Sequence, residues 1–439
     1  MKPCLLLLLV TLLCAVAPPS FAQSGAEDLG VVRPQPITKP SVIAIPGFGR
    51  DNAVPVDFDT IPRVIRRDLE LTGWFVMPQD QQAVNTQNLI DVRGNNINYG
   101  AWTEMGVEFY AMGHVSAPNG ETLRVRLLLY EVSTRRLVLR RDFDGPAGQE
   151  RMLAHAVSDA IVEALKFEKG FARTQLTFVT SSTPQVKEIA VMDADGFNAR
   201  RVTQFNNTTT TPAWGRNRNE VIYTSYVGNR ANIYGHILPT GERWTIAAYG
   251  GTNHSARYSP EANRVVMGLS RDGNPEIYTS NVDGTDLRRL TTSPHTEGSP
   301  CWSPDGREIA YVSNEAGGAH IFIMNADGSG KRQLTTRGRW NDAPDWSPDG
   351  RRIAFTSRIE GRNDIFIVNT DGSDYRRLTM NQGNNESPTW APNGRHLAFQ
   401  SNRSGQWHIW IMLDDGSNQR SLTSSGANTQ PDWGYAPAN

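Results

Sequence analysis

The sequence predicts two domains: a small mixed α/β domain, then an all-β propeller of six blades closed by the pairing of its own two ends. Three observations carry this. Isoleucine recurs every 44 residues, at Ile189, Ile233, Ile277, Ile321, Ile365 and Ile409. An aromatic series runs in step with it, Trp214, Tyr258, Trp302, Trp346 and Trp390, with Trp433 following 43 residues later. Between these markers lie short β-branched and aromatic runs separated by turn clusters. A period of about 40–50 residues built from such runs indicates a propeller, because a single blade cannot bury its own faces.

Taken in chain order, residues 1–22 carry one positive charge, an apolar run and small residues before Ala22, the pattern of a cleavable secretory signal peptide. Leu13 before Cys14 argues against lipidation. Cleavage removes Cys4 and Cys14, so Cys301 stays without an internal disulfide partner. Residues 23–40 form a polar, proline-bearing arm, read from composition as flexible. Residues 41–168 lack the repeat register. In them Ser41–Gly49 reads as a buried strand, and Ile61, Val64, Ile65, Leu69 and Leu71 have helical spacing. WFVMP, VEFYAMGHV, TLRVRLLLYEV and RLVLRRDF read as strands, and about Gln149 to Phe167 as a final helix. The mixed order predicts a small sheet with helices packed on it.

After a linker at 169–175, the propeller is expected over 176–435. The clearest repeat runs from Trp302 through IAYVS (strand B), IFIMN (C) and RQLT (D) to APDW (A). SPDG at Ser303–Gly306 and Ser347–Gly350 joins A to B, and a DADG-like corner ending at Gly196, Gly284, Gly328, Gly372 or Gly416 joins C to D. Proline presets one turn angle and glycine accepts a positive one. A threonine follows each of those five glycines by seven residues. The second copy, GERWTIAA, departs, so its outer strand is the least defined. The array opens on a B strand near Leu176 and ends on an A strand near Trp433. Pairing these closes the ring and removes two exposed edges.

A formal net charge of −1 gives no electrostatic footprint for nucleic acid. No G-x-S-x-G elbow, H-E-x-x-H, phosphate loop or Cys/His metal cluster occurs in the sequence, so no catalytic centre, metal or cofactor is expected. The DxDG corners mimic the start of a calcium loop but lack its distal glutamate, and read as tight turns. Cys301, beside Trp302, reads as a buried inert thiol. One set of positions varies between repeats. Four and five residues ahead of each aromatic marker lie Thr209 and Thr210, Asn253 and His254, Glu297 and Gly298, Asn341 and Asp342, Asn385 and Glu386, and Asn428 and Thr429. If A is the innermost strand, the loops carrying these pairs ring one mouth of the channel, a polar and partly acidic binding surface. An exported propeller enzyme, a lyase or glycan-active hydrolase using the acidic mouth, is the alternative, and a small-molecule-binding propeller a third reading.

The DTIPRVIRRDLELTGWF helix, AWTEMGVEFYAMGHV, the junction KGFARTQLTFVT and the PxWSPDGR-type blade openings together resemble the TolB family, periplasmic components of the Tol-Pal cell-envelope system of Gram-negative bacteria. The resemblance spans nearly the whole chain after the signal peptide. It implies a monomeric protein-interaction hub, without catalysis or membrane insertion, that supports outer-membrane integrity and constriction during division. It further implies that the propeller mouth binds the lipoprotein Pal, with His254, Glu297 and Asp342 foremost. The arm, about Gln23 to Pro34 with Glu27, Asp28, Leu29, Val31 and Val32, would engage the inner-membrane protein TolA.

Overall fold

The computed structural model describes residues 39–51, 59–118, 120–215, 219–228, 230–260 and 264–434. The expected signal peptide and the arm residues Glu27, Asp28, Leu29, Val31 and Val32 lie outside them. No helix among the described residues is long and apolar enough to cross a membrane.

The N-terminal domain is built on strands β1 (Ser41–Ala44), β2 (Gly49–Arg50), β3 (Phe75–Val76), β4 (Phe109–Ser116), β5 (Thr122–Glu131) and β6 (Arg136–Pro146). They form one mixed sheet in the order β3-β1-β4-β5-β6, with β2 beside β4; β1 runs parallel to β3 and β4, and β4 to β6 are antiparallel. The expected single strand over Ser41–Gly49 is split between β1 and β2 around Pro46, whose ring leaves no N–H for a ladder. Helices α1 (Thr60–Leu71) and α4 (Glu150–Lys166) cover one face, burying Ile61, Val64, Ile65 and Leu69 against Leu153, Val157 and Ile161. Helices α2 (Gln81–Gly94) and α3 (Tyr99–Glu104), neither foreseen, cover the other, where Trp102 stacks on Tyr110.

The propeller comprises six four-stranded sheets among the described residues, each antiparallel in the order A-B-C-D. The A strands are Thr209–Trp214, Asn253–Tyr258, Glu297–Trp302, Asn341–Trp346, Asn385–Trp390 and Ala427–Trp433, numbered here as blades 1 to 6. Blade 6 is the closure: its A strand pairs with the B strand Gln175–Ser181, Trp433 opposite Leu176. Its C strand is Lys187–Asp193.

The isoleucine and threonine series share a cause. Ile189, Ile277, Ile321, Ile365 and Ile409 each donate their backbone N–H to the hydroxyl of Thr203, Thr291, Thr335, Thr379 or Thr423. That bond substitutes for a ladder where the outer strand is only two residues long. Blade 1 lacks the threonine and solves the problem differently. Its outer strand, Arg243–Ala247, is five residues, and Ile233 pairs directly with Ala247. The strand of least sequence definition is thus the longest of its kind. The DADG corners are Asx turns: Asp283, Asp327, Asp371 and Asp415 each accept the N–H two residues on. At Gly328, φ is 88° and a Cβ would meet the Leu290 carbonyl at 2.7 Å, so glycine is required.

The domains meet where the residues after α1 reach blade 5. Asn418 Nδ2 donates to Leu71 O at 3.1 Å, and His396 Nε2 lies 3.2 Å from Thr72 O. Complete burial pushes His396 down to about 3, so the ring is neutral and its Nε2–H serves the carbonyl.

Candidate functional site

The six residue pairs come together around one end of the channel, although not as loops. Each pair opens an A strand, as its first two residues in blades 1 to 5 and directly after Ala427 in blade 6, and the two members have different fates. Thr209, Asn253, Glu297, Asn341, Asn385 and Asn428 are all buried, none more than 4 % exposed. They anchor the strand from beneath: Asn253 Nδ2 donates to Ala231 O at 2.8 Å, and Asn385 Nδ2 to Asp364 Oδ1 at 2.9 Å. The second members, Thr210, His254, Asp342 and Glu386 among them, are half-buried.

The cause is a bulge repeated in every blade. The residue that follows each pair, Thr211, Ser255, Ser299, Ala343, Ser387 or Gln430, has φ between 46° and 55°, and the A–B register shifts beside it each time. A left-handed residue breaks the alternation of a strand, so all six bulge residues border the channel, with Thr210, Asp342, Glu386 and Thr429 beside them. The sequence carries a signal for it in Pro212, Pro300, Pro344, Pro388 and Pro431. Proline inside a sheet is tolerated at bulges.

At the mouth Thr210, Asp342, Glu386 and Thr429 line a cavity of about 350 Å³ together with Lys187, Trp340, Gln400 and Trp407. It continues into a channel of about 270 Å³ walled by the bulge residues. His254 stands apart from both linings. Its ring packs on Gly268, where a Cβ would come within 2.7 Å of it, and Nδ1 meets Ser255 Oγ at 3.1 Å. Burial pushes its pKa down, so it is a neutral wedge at neutral pH. Lys187, Trp340 and Trp407 escaped the sequence reading. Lys187 and Trp407 share one repeat position, two before the isoleucine, which elsewhere holds Ala231, Pro275, Ala319 and Asn363. Variation at that position was the available signal.

The mouth carboxylates are engaged as acceptors. Asp342 Oδ1 takes Ser299 Oγ and its neighbour's N–H at 2.7 and 2.6 Å. Glu386 takes Asn363 Nδ2 at 2.6 Å and Gln400 Nε2 at 2.8 Å. Glu297 sits deeper, bonded by Ser293 and Ser313 hydroxyls and paired with buried Glu276. Burial, then the neighbouring Glu276, raises Glu297 to about 7. Because the folded value exceeds the ordinary 4.5, the folded state holds a proton that the unfolded chain has released. Stability therefore falls as pH rises from the ordinary value toward about 7, and levels off above it. Replacing Glu297 by Gln should flatten that slope and stabilise the protein on its alkaline side by on the order of 2 kcal/mol. Thermal unfolding across the pH range checks it; an unchanged slope would assign the effect elsewhere.

The far end of the channel, a cavity of about 670 Å³, is bordered by all six aromatic markers and by Arg257, Asp345, Asp432 and Cys301. The thiol is buried and pushed up by that burial, as an inert side chain should be.

Comparison with known proteins bears on both domains. A family model described as the TolB amino-terminal domain matches residues 34–138, and one described as the TolB beta propeller domain matches residues 162–343 and 340–436. A curated relative, the Tol-Pal system protein TolB of Rickettsia felis, is 28% identical over 239 residues, 53% of this chain. The matched stretch is also only 53% of the relative's length. The crystal structure of TolB from Acinetobacter baumannii superposes with a TM-score of 0.80 at 25% identity, covering 91% of this chain and 97% of that one. A nidogen/laminin complex, at 13% identity and a TM-score of 0.51, shares the propeller fold alone, covering 60% of this chain and 100% of its own.

Proposed function

Because the chain belongs to the TolB family, periplasmic components of the Tol-Pal system, we propose that it is a non-catalytic interaction hub, holding a Pal-like lipoprotein at the propeller mouth. The observation that carries this reading is the mouth itself, a rigid polar cup with two indoles on its wall. Four of the six bulged strands hold Thr210, Asp342, Glu386 and Thr429 in place, so little side-chain entropy is lost on docking. Trp340 is 36% exposed there. An exposed tryptophan beside fixed polar groups is the composition of an interface hot spot. Asp342 and Glu386 each already accept two protein donors, which suits positioning better than proton transfer.

The buried members Thr209, Asn253, Glu297, Asn341, Asn385 and Asn428 take the role of support for this surface, with neutral His254 as a wedge. The second partner, a TolA-like inner-membrane protein, falls to the arm, including Glu27, Asp28, Leu29, Val31 and Val32. Secretion through the leader ending near Ala22 places both partners within reach, and the work of the assembly is envelope integrity and constriction at division.

The test is a direct titration with the soluble domain of a Pal-like lipoprotein. Trp340→Ala and the double variant Asp342→Lys, Glu386→Lys should each weaken binding by at least about tenfold; Trp340→Ala should leave thermal unfolding nearly unchanged, and the double variant, which loses four hydrogen bonds, should melt lower but still cooperatively. Deleting residues 23–34 should leave that affinity intact and remove capture of a TolA-like domain. Unaltered lipoprotein affinity in both mouth variants would move the interface elsewhere.

A further inference from the structure

At the joint between the domains, charged side chains from both sides are buried together. Asp68 of α1, His155 of α4 and Asp195 in the turn after the blade 6 C strand are 2%, 5% and 1% exposed. Asp68 accepts from His155 Nδ1 at 2.8 Å and from Ser158 Oγ at 2.7 Å. On its other side His155 Nε2 points toward Asp193 Oδ2 at 3.8 Å. Arg151, one turn earlier on α4, reaches Asp195 at 2.6 Å and Asp193 at 3.4 Å. Further charged neighbours are Asp159 of α4, which is occupied by Arg173 at 3.0 Å and by the Ala172 N–H, and Arg63 and Arg67 of α1, which line a cavity with Arg151 and Asp195, Arg67 donating to the Ser421 carbonyl.

Three carboxylates, Asp68, Asp193 and Asp195, thus converge on Arg151 and His155 across a boundary that is buried around Asp68 and His155 and opens onto a cavity at Arg151. Arg151 can offset one charge. Without a second cation the joint would leave buried Asp68 and partly buried Asp193 without a charge partner, at a cost of several kcal/mol for Asp68. Asp68, His155 and Asp195 lie close enough together to share a metal ion. However, Arg151 already holds Asp195, and Asn198 and Gln175 hold Asp193 at 2.6 and 3.1 Å. A metal would have to displace those donors, whereas a proton on the imidazole displaces nothing.

We propose that His155 is a charged rivet: as an imidazolium donating to Asp68 and facing Asp193, it is the cation that lets the N-terminal domain and the propeller dock, and neutralising it releases the joint. Burial opposes the charge, but Asp68, Asp193 and Asp195 outweigh it and lift His155 to about 10. In turn His155 and Gln175, against burial, hold Asp193 at about 2. Since the folded value lies above the ordinary 6.5, the stabilisation is complete below that pH and is lost as pH rises through about 10.

Trypsin reads the joint, because the linker carries Lys169 and Arg173 beside Lys166 of α4. In the full chain at neutral pH, His155→Gln should speed cleavage there on the order of 10- to 100-fold. Adding Asp195→Asn should restore most of the protection, because removing a carboxylate relieves the missing cation. A side chain that mattered only for packing would not be rescued in this way, and failure of that rescue overturns the proposal. Should His155→Gln not fold, the wild-type ring answers directly: nuclear magnetic resonance of His155 should show both nitrogens protonated at neutral pH, and a neutral imidazole sinks the idea. Equimolar zinc should leave the melting temperature unchanged. A rise that requires His155 would put a metal where the proton is assigned.

Discussion

A chain ending at Gly426 is expected not to form the propeller at all. The lost strand, Ala427–Trp433, completes blade 6 by pairing with Gln175–Ser181 at five positions. It also carries contacts that reach beyond its own blade. Trp433 Nε1 donates to Thr174 Oγ1 at 2.7 Å, Asp432 Oδ2 accepts the Trp214 N–H at 2.8 Å, and Gln430 Oε1 accepts the Thr211 N–H at 2.9 Å. Removing the strand strips blade 1 of its neighbour and leaves the blade 6 B strand as a bare hydrophobic edge. Loss of the buried Trp433 side chain alone costs about 3–5 kcal/mol. A whole domain is stabilised by only about 5–15 kcal/mol, so the truncation should exceed what is there. The expected readout is the absence of a cooperative propeller transition in thermal unfolding, with aggregation. Trp433→Ala, which keeps the ladder, should unfold cooperatively at a lower temperature. A truncated chain with an intact transition would show that the ring does not depend on its closure.

That closure was legible because it depends on counting. Strand order within a repeat follows from turn chemistry and β-branched runs, and the positions of the first and last markers then decide which strands lack a partner. Helix α2 was illegible for the opposite reason. It exposes Leu89, Ile90 and Val92 and buries Gln87, Asn88 and Asp91, inverting the pattern by which a helix is recognised. Its buried polar groups are satisfied specifically: Asp91 accepts from Trp102 Nε1 at 2.8 Å, and Asn88 from Tyr110 Oη at 2.5 Å. Such a helix is held by tertiary hydrogen bonds that a linear pattern does not encode.

The mouth was half legible. Variation among repeats singled out one end of the A strands, but it could not separate the buried member of each pair from its neighbour, since that depends on the bulge. Glu297 and Asp342 look alike in sequence. In the fold one lies 2% exposed beneath the surface, while the other borders the cavity. The domain joint was not legible at all. Asp68, His155 and Asp195 are brought together by the docking of helices on a distant blade, and no spacing along the chain foretells it.

The second large effect is expected in the channel, where Arg257→Met should destabilise the propeller by about 2–4 kcal/mol at neutral pH and much less in acid. Arg257 forms an ion pair with Asp432 and is also the cation nearest Asp345. These two carboxylates stitch blades together, Asp432 accepting the Trp214 N–H and Asp345 Oδ2 the Trp390 N–H at 2.6 Å. Burial already raises Asp345 to about 7 despite the attraction of Arg257, and Asp432 is likewise raised by burial. Without the guanidinium both should rise further. An acid whose folded pKa exceeds its unfolded value loses folded-state stability as pH rises between the two, so the defect should grow from acid toward neutral pH. A variant that merely lost packing would show the same deficit at every pH. Asp345→Asn in the Arg257→Met background should recover a large part of the loss, because an amide keeps an oxygen for the Trp390 N–H while removing one buried charge. A flat pH profile together with no recovery would mean that Arg257 acts through its aliphatic stem, and that the channel is held by its strands rather than by its charges.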